Sequence, residues 1–471
     1  MSAAITVARK RPRLAAPSLD RLALALVDAA GPLYARWALK MDSLSLVHGE
    51  RLVRGAHDFY AGRTRLILAF RHPYGDEPQI LSLAMRRELS REARALGLPF
   101  SGRPHCLFLH GYEVPLWSGA LVRWLLPRTG SMPVYHVRMD GAGLRSIRRS
   151  LLDAAHPLAL APEGQSSYRS ETVPRIELGG FQMGFWCAED IEAAGRPENV
   201  VILPISVHER HDDSELPLLE AHCAKLEKSL GLSATAEAAT AGKAAAAAHS
   251  PPAAVTAARR RALGLRLRAL DLAALAAAES YYELRPLLGA SREERRLALL
   301  EEALRRGESS LGLTAKGDFI ERVYRLRHEG WNRVFPEDDP SALASAPRAV
   351  ADRRAGEAWY AMRHMELVDL GFYLDAAYLE EGLRDGKAPS AGRLSETLHN
   401  LYDFVSRLGG GNISDRPHLL RRRLALAIGE PLELRSRLPD YRADRRGALS
   451  AAAGDLVSAW NRSTKEFLDG N

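Results

Sequence analysis

Short apolar runs alternate with stretches of helical periodicity between residues 65 and 207. The runs are four or five residues long and bounded by charged or turn-forming residues, which is typical of strands buried on both faces. They occupy residues 66–70, 106–109, 133–137, 157–160 and 200–203. Helical periodicity covers residues 79–95, 143–155 and 180–194. This alternation predicts an α/β domain with a mixed, largely parallel sheet flanked by helices.

A helix is also expected ahead of the first strand. Leu22, Leu26, Val27 and Ala30 recur at three-to-four-residue spacing, and Ser18 is suited to cap the helix that they define. This helix either packs on its own domain or contacts a membrane. We do not read it as a secretion signal, because charged residues interrupt its apolar run.

The second half of the chain reads as helical. Residues 233–258 contain 14 alanines among 26 residues and predict a linker. Ser291 and Glu294 form a capping-box pattern that opens a helix, and Gly307 lies just past its expected end. Further helical patterns cover residues 355–381 and 393–408. The predicted organisation is a basic helical segment (1–62), an α/β domain (63–232), an Ala-rich linker (233–258) and a helical region of unknown role (259–471).

Composition and charge narrow the class of protein. Hydrophobic residues make up 46% of the 471 residues and charged residues 26%, which is ordinary for a globular chain and excludes disordered and collagen-like classes. Three scattered cysteines offer neither a disulfide framework nor a metal-ligand spacing. The net charge is +7, and residues 1–70 hold 11 Lys/Arg against five Asp/Glu. A basic start suggests an anionic lipid surface or nucleic acid as partner.

No apolar stretch is long enough to span a bilayer, so we expect peripheral attachment to the inner face of a membrane in the cytoplasm. A further apolar group consists of Trp117, Leu121, Trp124 and Leu125, with arginines nearby. This group forms either an interfacial membrane patch or a helix packed beneath the functional site. The arginine runs 259–261 and 421–423 are read as solvated helix faces, which makes nucleic acid an unfavoured partner.

Candidate chemistry lies at the ends of two predicted strands. Residues 66–70 lead into His72, and Asp76 follows four positions later. A carboxylate can hold one ring nitrogen of such a histidine while the other takes a proton from a hydroxyl. Glu163 and Gly164 follow the predicted strand 157–160, at the edge where α/β sheets bind ligands.

Four such segments occur in one order, and together they resemble the glycerolipid acyltransferase family, which includes the 1-acylglycerol-3-phosphate acyltransferases. The resemblance covers about residues 63–210. The family's first motif is similar to the segment with His72 and Asp76, and its second motif is similar to residues 130–134. Its third motif is similar to residues 162–164, and its fourth is similar to residues 201–207.

The resemblance implies an O-acyltransferase of phospholipid biosynthesis. It would move a fatty acyl group from acyl-CoA or acyl carrier protein to a hydroxyl of a glycerolipid or lysophospholipid, with the thioester as co-substrate and without a metal or other cofactor. His72 would deprotonate the hydroxyl, Asp76 would orient His72, and Glu163 and Gly164 would help to shape the acceptor site. The alternative is a non-catalytic member that binds lipid or acyl-CoA.

Two departures from the family pattern leave choices open. Three residues separate His72 from Asp76 where the family usually has four, so Glu77 is the alternate partner, although Asp76 better matches the family's Asp-x-Pro. In the second motif, His136 stands where the family commonly has the arginine that binds the acceptor phosphate. Arg138 or Arg169 would then take that role.

Overall fold

The chain forms two compact units, each built from two segments that are separated in the sequence. A computed structural model describes residues 4–12, 16–135, 141–232, 252–286, 288–372, 374, 376–411, 416–417 and 419–469. One unit comprises Leu14–Arg210 and Arg421–Asn471, and the other comprises Met1–Arg13 and His211–Leu420.

The first unit is built on an eight-stranded sheet, as far as the described residues extend. Its strands are β1 (Met41–Val47), β2 (Thr64–Phe70), β3 (Leu107–Gly111), β4 (Met132–Val134), β5 (Leu158–Leu160), β6 (Asn199–Arg210), β7 (Arg422–Ile428) and β8 (Leu432–Glu433). Their order is β1-β7-β6-β2-β5-β3-β4, with β8 also paired to β6. Strand β6 runs antiparallel to β7 and β8, and the other pairs are parallel. The predicted α/β class and largely parallel sheet are therefore confirmed.

Helices accompany the strands of this unit. They are α1 (Arg21–Trp37), α2 (Gly49–Tyr60), α3 (Glu77–Leu83), α4 (Leu89–Ala95), α5 (Val114–Trp117), α6 (Gly119–Arg128), α7 (Gly141–Asp153) and α8 (Gly179–Ala193). A π-helical segment, Ala84–Glu88, joins α3 to α4. Near the C-terminus, the 3₁₀ turn Arg435–Arg437 precedes two further helices of the unit, which take the numbers α16 (Leu438–Ala443) and α17 (Arg445–Asp469).

Both faces of β2 are buried, and this explains its uninterrupted apolar sequence. Ile67 and Ala69 belong to a core cluster that also contains residues of α7, α8, α16 and α17. Leu66, Leu68 and Phe70 point to the opposite face, into a cluster with residues of α2, α3 and α4. Each large apolar side chain buried in this way contributes about 1.5–3 kcal/mol to folding. The strand that ends at the candidate site is thus held from two sides.

The N-terminal segment differs from the prediction. Residues 1–62 were expected to be a separate helical segment, but they include β1, which pairs with β7, and α2, which packs on the sheet. The cap of α1 is also corrected, because the Oδ1 atom of Asp20, rather than Ser18, accepts hydrogen bonds from the backbone of Leu22 (2.8 Å) and Ala23 (3.1 Å).

The C-terminal segment contains strands that we did not predict. Arg422 opens β7 in a stretch where arginines were read as a solvated helix face. The apolar run of β7 follows directly after these arginines, so its strand character was not recognised from the sequence. The strands that pair with β7, β1 and β6, lie more than 200 positions earlier in the chain. The helical region therefore does not extend through residues 259–471, since residues 421–469 return to the sheet.

The second unit is helical in the residues that the structure describes. Its helices are α9 (Leu216–Ser229), α10 (Pro252–Tyr281), α11 (Arg292–Leu311), α12 (Phe319–Val334), α13 (Ser345–Phe372), α14 (Ala376–Leu383) and α15 (Ala391–Leu408). Short 3₁₀ turns cover Asp213–Glu215, Pro340–Ala342 and Arg384–Gly386.

Three predictions for this unit can be compared with the structure. The capping box of Ser291 and Glu294 is present at the start of α11. That helix continues past Gly307 and ends at Gly312, whose left-handed φ of 67° favours glycine. The predicted linker 233–258 lies outside the described residues as far as residue 251, and its end is corrected because α10 begins at Pro252.

Candidate active site

His72 lies just beyond the carboxyl end of β2, between the neighbouring strands β5 and β6. Parallel sheets bind ligands at this edge. Its side chain is 19% exposed, and its Nδ1 atom lies 2.5 Å from the Oε2 atom of Glu77. With Nδ1 held by this carboxylate, Nε2 is the ring nitrogen that can meet a substrate.

Glu77 is held rigidly for this role. It is the first residue of α3 and is fully buried, and its carboxylate accepts backbone hydrogen bonds from Tyr74 (2.5 Å) and Gly75 (2.9 Å) as well as contacting His72. Gly75 has a φ of 93°, which few other residues adopt, and this turn brings both N–H groups onto the carboxylate. An acidic residue in the first turn of a helix is also favoured by the helix dipole.

The structure corrects our first choice of orienting carboxylate. Asp76 precedes Glu77 and turns to Arg422, which donates from Nη2 to Oδ1 (3.1 Å) and from Nη1 to Oδ2. The extra residue of spacing lets the Glu77 side chain fold back under the loop to His72. The alternate, Glu77, is therefore the direct partner of the histidine.

Arg422 is a residue of the site region that sequence reasoning missed. It is buried at the start of β7, donates also to Glu209 at the end of β6, and lies 5.2 Å from the centre of the Tyr74 ring. Burial lowers the pKa of Arg422, but the charges of Glu209 and Asp76 outweigh it and raise the pKa well above its usual value. The guanidinium thus fastens the His72 loop to two strands.

The electrostatic surroundings favour a charged His72. Burial lowers the pKa of the ring, but the Glu77 carboxylate raises it through charge and hydrogen bonding, and Glu163 and Asp76 add to that effect. The net shift of the His72 pKa is upward from 6.5. A proton received by this imidazole is therefore stabilised.

Glu163 supports the same loop from the carboxyl end of β5. Its Oε1 atom accepts a hydrogen bond from Arg71 Nε (2.5 Å) and one from the backbone N–H of His72 (3.2 Å). The backbone N–H of Ser167, four residues after Glu163, donates to the carbonyl of His72 (2.8 Å). Gly164 has a φ of 74° and makes the turn after Glu163. Two loops that are 90 residues apart in sequence therefore meet at His72.

Arg71 is the second residue that the sequence did not single out. It is fully buried, and besides Glu163 it donates to the backbone carbonyls of Arg169 (2.9 Å), Ser170 (3.3 Å) and Thr172 (2.7 Å). Its guanidinium lies 5.8 Å from the centre of a Trp460 ring. Its donors are directed at protein groups, so Arg71 shapes the loop after β5.

The two arginines expected to bind an acceptor phosphate have different outcomes. Arg169 lies in the loop after Glu163, and the structure links it to the site through its backbone carbonyl. Arg138, together with His136, lies outside the described residues.

Neither a metal centre nor a membrane span is found within the described ranges. Among the residues that the structure places, no group of three or more His, Cys, Asp or Glu side chains is arranged to hold a metal ion. Over the same part of the chain, no helix combines the length and apolar character that crossing a bilayer requires.

Comparison with known proteins identifies no relative: no family model, no curated protein and no solved structure matches this chain. A functional assignment therefore has to be argued from the α/β fold and from the side chains gathered around His72.

Proposed function

We propose that this protein is an O-acyltransferase that uses His72 as a general base. The observation that carries the proposal is the His72–Glu77 pair, in which a buried carboxylate holds Nδ1 at 2.5 Å and leaves the Nε2 atom of a partly exposed side chain for a substrate. Such a pair fixes the ring tautomer and stabilises the imidazolium that forms when a hydroxyl loses its proton.

The reaction proceeds by direct attack. His72 Nε2 takes the proton of the acceptor hydroxyl, and the alkoxide oxygen forms a bond to the thioester carbonyl carbon. The carbon–sulfur bond breaks, and the leaving thiolate takes up the proton that His72 held. General-base assistance of this kind contributes about 10²- to 10⁴-fold in rate.

The substrate classes follow from the resemblance to glycerolipid acyltransferases. The donor is acyl-CoA or an acyl carrier protein thioester, and the acceptor is the hydroxyl of a glycerolipid or lysophospholipid. The chain would then act in phospholipid biosynthesis, in the cytoplasm at the inner face of a membrane.

Two loops support this assignment because they converge on His72. Glu77 holds the ring, while Glu163 accepts from the backbone N–H of His72 and so fixes the main chain beside it. The resemblance implies in addition that Glu163 and Gly164 would help to shape the acceptor site.

Acceptor-dependent thioester consumption tests the proposal. The purified full chain is incubated with acyl-CoA, with and without lysophosphatidate, and free thiol is followed with a chromogenic disulfide. We expect thiol release that requires the acceptor and is matched by diacyl product. Acyl-CoA binding without acceptor-dependent turnover would instead support a non-catalytic lipid or acyl-CoA binding protein and overturn the proposal.

A further inference from the structure

Helix α1 turns an apolar face to the outside of the protein. Leu22, Leu26, Leu33 and Trp37 recur at intervals of four or seven residues and share one face. Their exposed fractions are 80%, 43%, 62% and 73%. The buried residues of this helix are the small Ala23 and Ala35, so these four large apolar side chains point away from the core.

Helix α6 and the turn before it present a second set of exposed apolar residues. Trp117, Leu121 and Trp124 of the predicted patch are exposed, as is Val122, whereas Leu125 is partly buried. Pro127 is the buried residue of α6 among those that the structure describes. This outcome decides one question left by the sequence, because a helix packed beneath the active site would bury these side chains.

The two sets adjoin one another. The backbone N–H of Ser18 donates to the carbonyl of Pro127 (2.8 Å), and that of Asp20 donates to Arg128 (2.9 Å), so the start of α1 is bonded to the end of α6. Helices α1 and α6 also contact each other directly. We call the exposed apolar residues of α1, α5 and α6 the α1–α6 face. Exposed apolar residues on adjoining helices mark an interaction site.

Basic residues outnumber acidic ones in the stretches that carry the α1–α6 face. No Asp or Glu occurs between Asp28 and Asp42 or between Glu113 and the end of α6, whereas both stretches contain basic residues: Arg36 and Lys40 in the first, Arg123 and Arg128 in the second. Asp28 itself pairs with Arg86 and Arg103. Arg128 lies 4.7 Å from the centre of a Trp124 ring. Tryptophan beside arginine suits the headgroup level of a bilayer, where the ring is partly buried and the charge meets phosphate.

We propose that the α1–α6 face inserts into the surface of a lipid bilayer that carries anionic headgroups. A second copy of this chain is the less favourable occupant, because a symmetric contact would bring two basic rims together. This proposal rests on the proposed function, and it identifies the surface through which the candidate active site would reach a lipid substrate. Helix α1 contacts α3, which begins at Glu77, so an inserted face holds the bilayer close to the His72 loop.

Vesicle co-sedimentation of the full chain tests this proposal. Vesicles of phosphatidylcholine alone are compared with vesicles containing about 30 mol % phosphatidylglycerol, at low and at high salt. We expect anionic lipid to raise the bound fraction about 10-fold or more, and salt to reverse that gain. Leu33→Glu and Leu121→Glu should each lower the partition coefficient about 10-fold or more, because a charge then enters the apolar layer.

A matched control comes from another exposed leucine. Leu218 on α9 has an exposed fraction of 55%, which is similar to the 62% of Leu33. Leu218→Glu should leave vesicle binding unchanged. Equal loss in all three variants, or no binding by the wild-type chain, would overturn the proposal. So would self-association that Leu33→Glu abolishes while vesicle binding is absent. His72→Ala keeps the α1–α6 face and should bind vesicles normally, so failure of the catalytic proposal is distinguished from failure of this one.

Discussion

Replacing Glu77 with glutamine tests the most specific feature of the site. The buried carboxylate receives hydrogen bonds from the backbone of Tyr74 and Gly75 and holds His72 Nδ1. Its two oxygens are both occupied, and a glutamine offers only one acceptor oxygen. Whichever way the amide turns, its NH₂ group faces another donor, either Tyr74 N–H or the pair formed by Gly75 N–H and the imidazole.

The magnitude follows from these contacts. One buried donor loses its acceptor, which costs about 1–3 kcal/mol of folding free energy. The largest influence that raises the pKa of His72 against the effect of burial disappears as well, so the pKa of the ring falls. Without a carboxylate to stabilise the imidazolium and fix its tautomer, acyl transfer should slow by about 10²- to 10⁴-fold.

The assay is the pH dependence of kcat/KM for acyl transfer. The base must be neutral to accept a proton, so wild-type activity should rise with pH through the raised pKa of His72, above 6.5. Glu77→Gln should lower the plateau and move that rise to lower pH. Asp76→Asn is the control, because Asp76 bonds to Arg422 and not to the ring. A larger loss in Asp76→Asn than in Glu77→Gln would refute the assignment of Glu77.

Three further predictions concern stability. Arg422→Met should lower the free energy of unfolding by about 3–5 kcal/mol in denaturant titrations, because it removes the guanidinium that pairs with the buried carboxylate of Asp76. Gly75→Ala should cost about 1–2 kcal/mol, since its φ of 93° strains a side chain while the added methyl makes only an ordinary van der Waals contact with Ser166 Oγ at 3.5 Å. The stabilisation from charged His72 is fully present below about pH 6.5 and is lost as pH rises through its raised pKa, so the stability advantage of wild type over His72→Ala should be larger at about pH 6 than at about pH 9.

Each of these has an outcome that contradicts it. Unchanged unfolding of Arg422→Met would mean that the buried ion pairs contribute nothing to the folded state. Retention of full stability and activity in Gly75→Ala would show that the turn does not need its backbone conformation. A stability difference for His72→Ala that grows with pH would reverse the sign expected for a raised pKa.

The sequence predicted the parts of the fold whose signals are local. Strands buried on both faces, such as residues 66–70, appear as continuous apolar runs, and the helices between them have clear periodicity. The candidate site was predictable for the same reason, since His72 and Glu163 directly follow two of those runs. Strand ends of a parallel sheet share one edge, and this places the two loops together.

The remaining features depend on contacts between distant segments. Arg422 meets Asp76 across 346 positions of sequence, and nothing near either residue signals that pairing. Because Asp76 pairs with Arg422, Glu77 is the carboxylate that contacts His72. The pairing of β1 with β7 is of the same kind. Local pattern cannot separate an arginine on a solvated helix from one that opens a buried strand.

Single-turnover acyl transfer by His72→Ala measures how much the imidazole contributes to ester formation. Enzyme in excess over labelled acyl-CoA is mixed with lysophosphatidate in a quench-flow instrument, and ester formation is timed for wild type and for a variant shown to be folded by circular dichroism. We expect the variant to form ester about 10²- to 10⁴-fold more slowly than wild type. Ester formation at the wild-type rate would contradict the role of His72 as the base.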